Sequence, residues 1–162
     1  MKSPETLKIE TILLQNCFAP NNPSLAKSYA SPEVTIGFQR DHKGHERVDF
    51  LSYDPKEKIF KCYEIKVSMS DFKSNAKLSW YGHYNYLVIT KELFLEKPLQ
   101  WWRDEVPEYV GIIVVDTKNE AKKSIKKATK RNISLECYEM LKDSLIRTLF
   151  YSNCKNRGLC NV

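Results

Sequence analysis

The chain has 162 residues, enough for one domain with a sizeable core, and no apolar run approaches the roughly 20 residues of a membrane span. The opening Met1-Lys2-Ser3-Pro4-Glu5 lacks the apolar stretch of a secretory signal, so the expectation is a soluble, cytoplasmic protein with no membrane partner. A net charge of +6 and a pI of about 9.0 favour a polyanionic partner, of which nucleic acid is the commonest.

Ser3-Pro4-Glu5 reads as a helix start, with a serine cap, proline at the first position and an acid in the first turn. The helix should run to about Phe18 and end at Ala19-Pro20-Asn21-Asn22-Pro23. Residues 24–32 read as loop. Strands are expected at 33–38, 46–53 and 58–67, joined by turns at Asp41-His42-Lys43-Gly44 and Asp54-Pro55-Lys56-Glu57. A helix from Ser68 to about Tyr81 follows, capped by Ser68 or Ser70, and then a strand over 84–90. A helix over 91–103, broken at Pro98, precedes an apolar strand over 110–116 of the fully buried kind. A basic segment with an edge strand around 124–127 leads to a last helix over about 134–151, with Leu135, Tyr138, Leu141, Leu145 and Leu149 as its apolar stripe. The order implies an α/β fold, a mixed β-sheet flanked by helices on both faces. Residues 1–152 read as a single domain and 153–162 as a polar tail bearing Cys154 and Cys160. Five cysteines without a CxxC pair read as free thiols in a reducing compartment.

Chemistry concentrates on the hairpin of the second and third strands. If Tyr53 faces Lys58, Asp49 lies opposite Cys62 and diagonal to Glu64. Alternation then puts Asp49, Cys62, Glu64 and Lys66 on one face, and Val48, Phe50, Tyr63, Ile65 and Val67 on the core face. Two carboxylates this close repel unless a cation intervenes, and a divalent metal is the natural one. Asp49, Glu64 and the Ile65 carbonyl, completed by waters, would suit octahedral Mg²⁺, with Mn²⁺ expected to substitute. Lys66 would orient or help deprotonate a water and stabilise a pentavalent phosphate. The plainer alternative is a solvent-facing hairpin with a cross-strand ion pair.

Asp49, fourteen intervening residues and then Glu64-Ile65-Lys66 resemble the signature of the PD-(D/E)xK nuclease superfamily. The order of elements over about residues 33–150 matches that superfamily's restriction-endonuclease-like core. Glu64-Ile65-Lys66-Val67-Ser68-Met69-Ser70-Asp71-Phe72, then Lys77, Trp80-Tyr81, the 84–90 and 110–116 strands and Arg147 on the last helix, most closely resemble the MmcB-like DNA repair group. The proline that names the superfamily is replaced by Val48. The resemblance implies a Mg²⁺-dependent endonuclease, a phosphodiester hydrolase acting on DNA in repair or phage DNA metabolism. Many nucleases of this fold cut as dimers, so a homodimer stays open.

The same resemblance implies roles beyond the hairpin. Glu10 falls inside the first helix's apolar stripe and resembles the helical glutamate that reaches the metal in such enzymes; alternatively it sits at the stripe's border and pairs with a lysine. Lys77 and Tyr81, four apart, resemble a Q-x-x-x-Y element with lysine in place of glutamine; the plain reading is a surface lysine and a core tyrosine. Lys73 would extend a phosphate track. Lys122, Lys123, Lys126, Lys127, Lys130 and Arg131 put six basic residues within ten positions, either a DNA-contacting arm or a lysine-protected edge strand. His42, His45 and His83 fit no zinc motif and read as surface residues. A non-catalytic nucleic-acid-binding or accessory protein that keeps the nuclease fold is the alternative function.

Overall fold

Ser3 accepts a hydrogen bond from the Thr6 amide and Pro4 occupies the first helical position, so helix α1 spans Pro4–Gln15. In the computed structural model, which describes residues 1–37, 46–74 and 80–159, there follow β1 (Phe18–Ala19), β2 (Asn22–Ala26), β3 (Tyr29–Thr35), β4 (Arg47–Asp54), β5 (Ile59–Lys66), α2 (Met69–Phe72) and β6 (Tyr84–Thr90). After these come α3 (Lys91–Leu95), α4 (Leu99–Glu105), β7 (Val110–Asp116), β8 (Ala121–Lys126) and α5 (Leu135–Asn156). Strands β3 to β8 form a six-stranded mixed sheet in chain order. β5, β6 and β7 run parallel and the remaining neighbours antiparallel. The parallel strands are joined through α2 and through α3–α4, as such crossovers require.

Both faces of the sheet are covered. On one, Ile9, Ile12 and Leu13 of α1 pack on Phe50, Ile65, Val88, Ile113 and Val115. On the other, Leu141 and Leu145 of α5 pack on Val34, Val48, Leu51, Phe60 and Cys62. Beside them Leu93, Trp102 and Val106 cover Leu87, Ile89, Ile112 and Val114. β7 thus feeds both layers with alternate residues, which is why it reads as an unbroken apolar run. Among the described residues no helix is long and apolar enough to cross a membrane.

Several expectations need correction. Residues 24–32 are largely strand, because β2 covers Asn22–Ala26 and β3 begins at Tyr29. Pro32 disguises β3, yet β3 is the sheet's outer strand, where a missing N–H is tolerated. The β4–β5 register is shifted by two, with Tyr53 opposite Phe60 and Leu51 opposite Cys62. Asp54 Oδ1 accepts from the Lys56 and Glu57 amides, and Lys58 adopts a φ of 55°, so the turn takes in Lys58 as well. Ser68 caps α2 as foreseen, but the helix lasts only to Phe72. Trp80 and Tyr81 are not helical; their carbonyls accept from the Arg131 guanidinium and the Cys137 thiol. In α5 Leu141 and Leu145 are buried while Leu135 and Leu149 are exposed, and the helix continues through Cys154 to Asn156. The Asp41–Gly44 turn, His42, His45, Lys77 and Cys160 lie outside the described residues.

Phe50 links the hairpin to the layer under α1 and is 1% exposed. Phe50→Ala should cost about 3–5 kcal/mol, read as a lowered urea midpoint with an unchanged slope.

Candidate active site

Alternation along β4 fails at Asp49. Leu51 packs under α5 and Phe50 under α1, but Val48 packs under α5 again. The expected grouping of Val48 with Phe50 on one face is therefore wrong. The cause is a paired irregularity. Pro32 pairs with Phe50 and Val34 with Val48, so Glu33 falls level with Asp49, and Glu33 has a φ of 53°. That left-handed conformation is costly for a non-glycine residue and turns the chain. Regular β4–β5 pairing stops at the same level, at Phe50 opposite Tyr63. The Asp49 carboxylate enters the gap, and its Oδ2 accepts from the Ile65 amide at 2.7 Å. A side-chain oxygen thus replaces a ladder carbonyl and leaves the amide satisfied.

This gap opens on a cavity of about 180 Å³. Glu10, Glu33, Asp49 and Asp71 supply its acids, Lys2, Arg47 and Lys66 its cations, and Ile65 part of its wall. Glu10 is buried and accepts from Lys2 Nζ at 2.5 Å, and Lys2 also reaches Glu33 at 3.2 Å. Glu10 thus pairs with a lysine, as the alternative reading had it, and it also lines the cavity. The Lys66 side chain is almost fully buried, and its Nζ lies 3.4 Å from Asp71 Oδ1. Asp71 is placed by α2, whose first turn is tied by the bond from its amide to Ser68 Oγ. Arg47 pairs with Glu33 at 3.4 Å but is mostly exposed, so the pair adds little stability and leaves the guanidinium at the mouth.

Of the sequence-predicted residues, Glu10, Asp49, Ile65 and Lys66 share this cavity. Glu64 is buried and does not line it. Continuing the register from Leu51–Cys62 and Phe50–Tyr63 sets Glu64 across from Asp49, closer than the diagonal relation foreseen. Cys62, on the same side of β5, has its thiol pushed up by burial and then by the Glu64 charge, so it is an inert core thiol. Lys73 is exposed just past α2. Tyr81 lies outside any helix; its hydroxyl donates to Glu46 at 2.6 Å, and burial followed by that bond raises it to about 12. Lys122, Lys123 and Lys126 lie on β8, three strands from β5 at the sheet's edge. His83 is no bland surface residue, because its Nδ1 accepts from the Phe60 amide at 3.0 Å.

Lys2 and Glu33 escaped the sequence reading, and Arg47 and Asp71 were given no role at the site although they flank its motif. Asp71 had a visible signal, an acid three residues after a capping serine. Among the described residues no three His, Cys, Asp or Glu side chains converge as a metal cage. The donor set nevertheless suits Mg²⁺, which one or two carboxylates and retained waters hold. Glu10 and Asp49 are hard-oxygen donors on one small cavity.

No family model and no curated protein matches the chain. Among solved structures, the SPO1766 protein of unknown function from Silicibacter pomeroyi is similar in fold, with a TM-score of 0.59 and 16% identity over 81% of this chain and 80% of that one.

Asp49→Ala would leave the Ile65 amide without its acceptor, at a cost of about 1–3 kcal/mol. Asp49→Asn keeps an acceptor in place. Amide exchange at Ile65 should accelerate in the alanine variant and stay slow in the asparagine variant; equal protection in all three would refute the bond's role.

Proposed function

We propose that this chain is a metal-dependent nuclease with a restriction-endonuclease-like core of the PD-(D/E)xK kind, hydrolysing phosphodiester bonds in DNA. The observation that carries the reading is the cavity at the β4–β5 gap, where Glu10, Asp49, Ile65 and Lys66 meet. The sheet order supports it too, since an antiparallel hairpin passes its acids directly into parallel strands under a covering α1.

Asp49 and Glu10 would hold Mg²⁺ or Mn²⁺, with the Ile65 carbonyl as a further ligand and Glu64 joining from across the pair. When bound, the cation would lower the pKa of a water and offset phosphate charge. The chain's own groups have distinct tasks. The Ile65 amide fixes the Asp49 carboxylate, so one oxygen is committed and the other is free to bind. Lys66, held by Asp71 and largely shielded from water, presents its ammonium to the attacking water or a phosphate oxygen, where low dielectric strengthens it. Arg47 and Lys73 would receive the flanking phosphates. The β8 lysines stand too far along the sheet to touch the reacting phosphate and would contact more distant backbone, making binding salt-sensitive.

Single- and double-stranded DNA incubated with the protein in Mg²⁺, Mn²⁺ or EDTA tests this directly. Cutting should require the metal and fall about 100-fold or more in Asp49→Asn and in Lys66→Ala. A folded wild-type protein that binds DNA in a salt-dependent way but cuts no substrate would instead establish the non-catalytic accessory reading.

A further inference from the structure

A second and larger cavity, of about 540 Å³, lies at the opposite end of the β4–β5 hairpin. At about 3.3 Å per residue, the eight steps from Lys58 to Lys66 place it roughly 25 Å from the candidate active site. Its wall is aromatic. Tyr53 and Tyr138 share a hydroxyl–hydroxyl bond of 2.7 Å, and both pack on buried Phe60. His83 lies parallel to the Phe60 ring, with centroids 6.4 Å apart.

Two features mark this as more than a gap in packing. The first is the state of His83. A backbone amide can only donate, so the bond from Phe60 N–H to Nδ1 fixes the neutral tautomer that carries its proton on Nε2. Burial, and then Lys130, also hold the imidazole below its usual pKa, so His83 remains a neutral donor at physiological pH. The second is the charge at the rim. Lys58 and Lys142 both line the cavity, and neither has an ion-pair partner among the described residues. Lys142 Nζ instead stands 5.9 Å from the Tyr138 ring centroid. Glu139 is the one acid on the wall, so with Lys58 and Lys142 the rim keeps a net positive charge. Leu135, 74% exposed, adds an uncovered apolar rim.

We infer that this aromatic, lysine-rimmed cavity binds a nucleoside monophosphate unit, with its planar base against the His83–Tyr138 wall and Leu135 and its phosphate between Lys58 and Lys142. A base has the polarizable face such a wall takes, and acceptor atoms for the His83 Nε2 proton. A phosphate dianion supplies the partner the two ammonium groups lack. The unit can be a free nucleotide or the phosphorylated end of a strand, and the chemistry of recognition is the same.

The site is independent of the nuclease reading, and its test is made in EDTA so that no cleavage enters it. Amide spectra of ¹⁵N-labelled protein are recorded against AMP, adenosine, inorganic phosphate and a short phosphorylated oligonucleotide. AMP should shift the amides of His83, Tyr138 and Lys142, while adenosine and phosphate bind at least about tenfold more weakly because each makes half the contacts. Tighter binding of the oligonucleotide than of AMP would assign the site to strand ends, and the reverse to free nucleotide. Lys58→Ala/Lys142→Ala alters two rim side chains away from both the core and the candidate active site, and should weaken AMP by about tenfold or more. The proposal is overturned if AMP leaves these amides unmoved to about 10 mM, where even millimolar affinity would saturate. It is equally overturned if phosphate alone matches AMP, or if the double variant binds AMP as the wild type does.

Discussion

The bond from the Ile65 amide to the Asp49 carboxylate is the constraint on which the candidate site depends. A sheet with both faces covered offers no room for a reacting group unless two neighbouring strands part. Here they part at one level, where Glu33 leaves β geometry and β4 reverses its alternation. Parting exposes an amide that would otherwise be an unsatisfied donor. Asp49 satisfies it, and so the defect in the ladder becomes a rigid seat for a carboxylate. Lys2 and Arg47 hold the Glu33 side chain from two sides.

The electrostatics follow from that opening. Four acids and three cations border a cavity of about 180 Å³, so the residual charge is small and negative. Two buried charges on its wall have opposite neighbours: Lys2 for Glu10, Asp71 for Lys66. Losing one partner of such a pair costs more than the pair contributes, because an uncompensated charge is left behind. A divalent cation proposed at this cavity would therefore take the place of a cation already there. Lys2 lies outside α1, before its cap.

Much of the frame could be read from the residues. The strands at 84–90 and 110–116, the break at Pro98, the serine cap at Ser3 and the start of the last helix near 134 have strong local causes, and they appear where those causes put them. The first sheet strand was legible only at its end: expected over 33–38, it runs over Tyr29–Thr35, because Pro32 and the serines around it look like loop and only the strand's position at the sheet's edge excuses them. The hairpin register missed by two residues because Lys58 joins the turn at positive φ, a conformation its side chain does not advertise. An error of two preserved the alternation of β5, so Glu64 and Lys66 stayed together while Ile65 went to the other layer. The local twist that removes Val48 from the side of Phe50 depends on a partner strand and could not be seen from β4 alone. Lys2 and Arg47 reach the cavity through tertiary contacts, and ordinary charged residues carry no mark of that.

The central claim is that one cavity, at the Asp49–Ile65 gap, is built to take a divalent cation. Titrating ¹⁵N-labelled protein with Mn²⁺ locates such an ion by the amides it broadens, whatever the activity. The account predicts first broadening at Glu10, Asp49, Ile65 and Lys66, abolished by excess EDTA and weakened in Asp49→Asn. Broadening that starts instead at an exposed acidic turn such as Asp116–Asn119, or none at any of the four, would contradict it.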